Sequence, residues 1–174
     1  CKFINAFLMI VLLIMTIIFV HFQVDRNFYQ EWHTEKPVKG QPIQFQKTSG
    51  KEMKSSEKLF MTDWNTGSLY FNYVKFAGIF LLLYFAISQF QNVLTSVKNF
   101  KTFRTTNVRA FRKIGIYCLF LSVLSGIADW DFGNYHVSRI SLDFDFLVIS
   151  LLSFIFAEIF KEGNQLMREN QLTI

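Results

Sequence analysis

The sequence predicts an all-α integral membrane protein with four transmembrane helices. Three observations lead there. Apolar residues are gathered into four long runs, phenylalanine fills 22 of the 174 positions, and lysine and arginine concentrate in the segment between the second and third runs. A soluble chain of this length would bury one core beneath a polar skin, whereas long unbroken apolar runs are what a bilayer selects.

The first run, Phe3 to Val20, has only Asn5 and Thr16 as polar members. It approaches the roughly 20 apolar residues a span requires. His21-Phe22-Gln23 follows directly, without a small-residue cleavage site, so the run reads as a retained helix and not as a signal peptide. The second span covers about 69–90, the third 114–130 and the fourth 144–160. The last two are short, at about 17 residues each, a mismatch that interfacial aromatics and extension into the headgroup layer can absorb. None of the runs alternates with period two, so a barrel is not expected. Lipid offers no partner to free backbone groups, which leaves helices.

Orientation follows from the cations. Gln91 to Lys113 carries Lys98, Lys101, Arg104, Arg109, Arg112 and Lys113 and no acid. A short basic loop of this kind stays in the cytoplasm. The loop before the fourth span holds Asp129, Asp131, Asp143 and Asp145 against Arg139 and should lie outside, while Lys2 precedes the first span. Both termini are therefore expected on the cytoplasmic side. The loop 21–68, with seven basic and six acidic residues, falls outside with them. Trp32, Trp64 and Trp130 all fall in or at the edge of outer segments, where an amphipathic ring is favoured.

Within loop 21–68, Pro37, Gly40, Pro42 and Gly50 mark turns. Pro42-Ile43-Gln44-Phe45-Gln46 alternates apolar and polar, which fits either a small β-hairpin or a polar irregular loop. In the basic loop, 91–113, Thr105 or Thr106 can cap an amphipathic cytoplasmic helix carrying Val108, Phe111 and Ile114 at helical spacing. Lys98, Lys101, Arg104 and Arg109 are the candidate contacts for anionic lipid headgroups or for a partner. The net charge of +5 comes without base-stacking aromatics, so no direct nucleic-acid binding is expected. The cytoplasmic tail, 161–174, should prolong the fourth helix to about Asn170, weakened at Gly163.

Glu158 is the one carboxylate in the last turn of the fourth run. It can pair with Lys161 on its own helix, or with Arg112 or Lys113 at the start of the third. Lys75, near the outer end of the second span, can snorkel or pair with an outer aspartate. Ser122, Ser125 and Gly126 are small residues suited to close helix packing. The outer aspartates with His136 form no fixed metal-binding loop. His21, His33 and His136 belong to no catalytic motif, and no phosphate loop or Cys/His metal spacing occurs. No metal, cofactor or enzymatic activity is expected. Cys118 lies in an apolar run, which argues against a disulfide with Cys1.

Phe103, Asn107 four residues on, the basic-apolar helix start through Lys113, and Gly115 form one patterned block. Ala157-Glu158-Ile159-Phe160-Lys161-Glu162-Gly163, then Leu166, then Glu169-Asn170-Gln171-Leu172-Thr173-Ile174 form a second. From about residue 79 to 174 the chain resembles a set of small bacterial four-span membrane proteins grouped as domain of unknown function 2975. It departs from that pattern at Thr106, where members often carry an acid. The resemblance implies a multi-pass protein of the bacterial cytoplasmic (inner) membrane. It also implies a gene often placed beside a small helix-turn-helix regulator, and it implies no known activity. The expected function is thus a regulatory or interaction protein that holds a cytosolic partner, such as that regulator, at the membrane. The alternative is a small oligomeric transporter, channel or export-complex accessory subunit with membrane-protein partners.

Overall fold

The computed structural model describes residues 2–34, 44–50, 59–99, 103–133 and 135–172. The chain is mostly helical. Its four helices are α1 (Lys2–Val24), α2 (Thr66–Lys98), α3 (Thr105–Gly126) and α4 (Phe144–Leu172). Two of them, α1 and α2, are long and apolar enough to cross a membrane, which suggests a membrane protein. All four expose large apolar side chains, among them Ile10 and Ile17 on α1, Phe85 on α2, Phe120 on α3 and Ile155 on α4.

The segments between helices differ from the all-α expectation. Short strands β1 (His33–Thr34) and β3 (Leu59–Phe60) pair antiparallel, and β2 (Gln44–Gly50), β4 (Ile127–Asp131) and β5 (Tyr135–Ser141) form an antiparallel sheet ordered β2-β5-β4. The alternating segment near Gln44 is thus a strand, but its partner is β5, far along the chain, with Gln44 opposite Ser141 and Gly50 opposite Tyr135. Pro42 and Ile43 lie outside the described residues, as do Lys101 and the middle of loop 21–68.

The third apolar run is not helical to residue 130. The helix stops at Gly126, and β4 begins at once. At Gly126 a Cβ would collide with the Ser141 carbonyl, so the crossing of strand and helix end requires glycine. Its expected role in helix–helix packing is replaced by this backbone contact. The β4–β5 hairpin then turns through Gly133, whose φ of 69° suits glycine, with the Phe132 N–H donating to the Tyr135 carbonyl at 2.9 Å.

The basic amphipathic segment is not a separate helix either. It forms the first turns of α3, which runs unbroken from Thr105. The Arg104 carbonyl already accepts the Asn107 and Val108 N–H groups, so residue 104 takes the capping position expected for a threonine. At the other end α4 continues past Gly163 to Leu172 without interruption.

The chain divides into two compact units. One comprises Cys1–Met9, Phe80–Ser122 and Phe144–Ile174. Its core joins Val93 of α2, Val108, Phe111, Ile114 and Cys118 of α3, and Ala157 of α4. The other comprises Ile10–Ile79 and Val123–Asp143. Its core is aromatic, with Phe22, Tyr29, Trp64 and Phe132 around Leu59 and Leu69. Trp64 stacks on Trp130 at 5.2 Å and on Phe132 at 5.3 Å.

Candidate functional site

The unit containing the start of α3 and the end of α4 carries most of the chemistry expected from the sequence. Glu158 accepts hydrogen bonds from Arg112 at 2.8 Å and from Lys161 at 2.9 Å, so one carboxylate bridges two helices and one turn of its own. All three side chains are about half exposed. The hydrogen bond and charge of Glu158 hold the Lys161 ammonium above its ordinary pKa. Solvent screening keeps exposed pairs of this kind weak, so the bridge positions side chains more than it stabilises the fold.

Beside the bridge runs a cleft of about 600 Å³ between α3 and α4. Arg109 and Arg112 line it from α3, and Lys161, Asn164, Arg168 and Glu169 from α4. The Arg112 and Lys161 charges are offset by Glu158. Arg109 and Arg168 have no ion-pair partner among the described residues, so their five-donor guanidinium forks remain available to an anion. On the other flank of Arg109 a polar cleft of about 370 Å³ opens between α2 and α3. It is lined by Asn92, Ser96, Thr106, Asn107 and Lys113. Lys113 therefore faces this second cleft and is not a partner of Glu158. Lys98 ends α2 and is exposed, Arg104 is exposed just before α3, and Lys101 lies outside the described residues.

Three polar or glycine positions fix the helices that make the clefts. Asn107, almost fully buried, donates to the Ser96 hydroxyl at 3.0 Å and ties α3 to α2. Gly115 lies against the Phe154 ring, and its carbonyl accepts the Ser150 hydroxyl at 2.7 Å, tying α3 to α4. Gly163 carries the Phe103 ring where a Cβ would stand, while Asn164 donates to the Phe103 carbonyl at 2.6 Å. Phe103 also packs on Phe160 at 5.6 Å. Phe103, Asn107, Gly115 and Gly163 are the positions that gave the sequence its recognisable pattern, and each has a packing reason. Sequence reasoning missed the lock between Phe103 and Gly163. A glycine in a polar helix, 60 positions from an aromatic, offers no local sign of it.

The other unit gathers a second polar set. The Ser68 hydroxyl accepts the Trp64 indole N–H at 3.1 Å and the Asp131 N–H at 3.2 Å, and donates to the Asp129 carbonyl at 2.7 Å. The Asn72 amide nitrogen donates to the same carbonyl at 2.5 Å. Lys75 is buried and donates to the Ile127 carbonyl at 3.1 Å, packing over the Phe76 ring. It pairs with none of the outer aspartates among the described residues, in contrast to the sequence expectation.

Across the β4–β5 hairpin, Asp129, His136 and Ser138 meet. Ser138 Oγ and His136 Nε2 both reach Asp129 Oδ1, at 2.6 and 2.9 Å. A nucleophile relay needs the imidazole between serine and carboxylate, with one nitrogen for each. Here both side chains converge on one oxygen. Burial raises the Asp129 pKa, and the hydrogen bonds from Ser138 and His136 together with the histidine charge outweigh it, so the carboxyl lies below its ordinary value.

The sequence model of one protein family, described as protein of unknown function (DUF2975), matches residues 61–174. No curated protein and no solved structure matches the chain.

Proposed function

Because the chain belongs to the DUF2975 family, whose match spans α2 to α4, we propose that it is a non-enzymatic membrane interaction protein of the bacterial inner membrane. In this reading the α3–α4 cleft holds an acidic segment of a cytosolic protein. The observation that carries it is that Arg109 and Arg168, which have no ion-pair partner among the described residues, line one cleft beside a bridge that already occupies Arg112 and Lys161.

The membrane arrangement behind this reading has four spans, with both termini and the 91–113 segment in the cytoplasm. Three features support it. α4 runs from Phe144 through Phe160 as one mainly apolar helix, about 26 Å against a hydrocarbon core of roughly 30 Å, while the apolar part of α3, Ile114 to Gly126, is shorter at about 20 Å. The first turns of α3 bring Arg109, Arg112 and Lys113 to the headgroup layer, where long cationic side chains can snorkel. Exposed apolar rows on α3 (Ile116, Leu119, Phe120, Val123) and α4 (Val148, Leu151, Leu152, Ile155, Ile159) suit lipid contact better than water. The same cations would attract anionic headgroups, each worth roughly 1 kcal/mol near such a surface. Lipid contact and protein docking can therefore share the cleft's rim. A helix-turn-helix regulator is the cytosolic partner favoured by the family resemblance.

The test is recovery of crosslinked partners from native membranes, comparing wild type with the double variant Arg109→Glu/Arg168→Glu. A soluble protein recovered with wild type and lost with the variant supports docking at the cleft. Equal recovery of the same proteins with both forms refutes it.

A further inference from the structure

The polar cleft between α2 and α3 adjoins a surface of opposite character. Arg109 and Lys113 line it with the amides of Gln89 and Asn92 and the Thr106 hydroxyl, and no carboxylate lines it among the described residues. Neither cation takes part in an ion pair among those residues. Lys113 directly precedes Ile114, the first residue of the third apolar run. In a bilayer the cleft therefore stands just outside the hydrocarbon, at the depth of lipid phosphates. One turn closer to the middle of each helix lie Phe85 and Tyr117, four residues from Gln89 and Lys113 and on the same faces. Their rings meet at 6.0 Å, and Phe85 is 46% exposed. A basic recess and an exposed aromatic surface thus follow one another along the same pair of helices.

We propose that this cleft seats the headgroup of an anionic phospholipid of the phosphatidylglycerol type, its phosphate between Arg109 and Lys113 and an acyl chain over the Phe85–Tyr117 pair. The chemistry narrows the ligand in three steps. Two cations facing no acid call for an anion, and a phosphodiester offers oxygens to a guanidinium fork and an ammonium alike. The aromatic surface next to it calls for a long apolar chain, which a soluble phosphate lacks. The amides and the hydroxyl can bond a headgroup that ends in hydroxyls. An ammonium there, as in phosphatidylserine, would meet two cations and no carboxylate. The proposal rests on the four-span reading only for placing the cleft at lipid depth. Arg109 lines both clefts, whereas Lys113 and Asn92 line this one and not the α3–α4 cleft, so variants at these two positions test the lipid site apart from docking.

The experiment is native mass spectrometry of the full chain released from detergent micelles and titrated with three probes. These are phosphatidylglycerol, phosphatidylserine with the same acyl chains and net charge, and glycerophosphoglycerol, which is the first headgroup without chains. One phosphatidylglycerol should bind per chain, with half-saturation about tenfold below that of phosphatidylserine. Glycerophosphoglycerol at the same concentration should not displace it. Lys113→Gln should weaken phosphatidylglycerol about fivefold, the worth of one cation near an anionic headgroup. Asn92→Asp, nearly isosteric at an exposed position, brings a carboxylate into the cleft and should erase the preference over phosphatidylserine. Equal binding of the two lipids, unaltered by either variant, would overturn the assignment as diffuse attraction to a basic surface. Displacement by glycerophosphoglycerol would overturn it as well, the ligand then being a soluble phosphodiester. Micelles have no sidedness, so failure here leaves the four-span arrangement standing, and an inverted topology would leave the binding result standing.

Discussion

At the residue scale, two positions carry the sharpest consequences. Gly163 receives the Phe103 ring in the space of its missing Cβ. Gly163→Ala should therefore destabilise by about 1–3 kcal/mol, the range for overpacking, despite alanine's better helix propensity. Adding Phe103→Ala should relieve most of that loss, because two residues in contact do not act additively. Thermal unfolding of the single and double variants in detergent checks both statements. Asp129 gives a pH signature. Its carboxyl pKa in the folded chain lies below the ordinary 3.8. The stability it contributes is therefore complete above that ordinary value and is lost as pH falls through the folded one. Asp129→Asn should flatten the acid limb of a stability–pH curve. Neither residue's role was legible beforehand. Gly163 read only as a weak point in a helix, and Asp129 as one of several acids in an outer loop. Both depend on partners from other segments.

At the element scale, the two most apolar helices were readable because lipid demands a long unbroken run, and α1 and α2 have one. The amphipathic helix start was readable too, from Val108, Phe111 and Ile114 at helical spacing, though not its continuity with the rest of α3. The sheet was not. Ile127-Ala128-Asp129-Trp130 continues the apolar character of α3 and invites a longer helix. Its strand state is imposed by pairing with β5, and by the approach of Gly126 to the Ser141 backbone. The one local sign was the apolar–polar alternation around Gln44-Phe45-Gln46, at the start of β2, which gives no hint of its distant partner β5. The junction between the start of α2 and β4 has its own test. Ser68→Ala strands the Trp64 indole N–H and the Asp131 N–H together. A loss of about 1–3 kcal/mol is expected, and a red shift of tryptophan emission should accompany it as the indole gains water. An unchanged spectrum and unfolding temperature would show that the hydroxyl is dispensable.

At the scale of the whole molecule, the proposed four-span arrangement says which segments should meet which compartment, and labelling tests it. In a background with Cys1 and Cys118 replaced by serine, Lys47→Cys should react with an impermeant maleimide on intact spheroplasts. Gln165→Cys should react only after permeabilisation. The reverse pattern would invert the topology, and labelling of both from outside would remove one of the three crossings proposed between them. The sequence supported this orientation through the charge-pure 91–113 segment. It could name Arg109, Arg112 and Glu158 as candidates but could not show that Arg168, in the tail, lines the same cleft as Arg109. That juxtaposition needs α4 to stay helical past Gly163 and pack along α3, which the Phe103 lock enforces. Docking of an acidic cytosolic segment is tested most directly by a photo-crosslinker placed at Gln165, on the cleft wall, and activated in living cells. Docking requires an adduct with a soluble protein that disappears when Arg109→Glu/Arg168→Glu is introduced. Adducts with membrane proteins alone, unaltered by that charge reversal, would contradict it and favour an assembly or transport subunit.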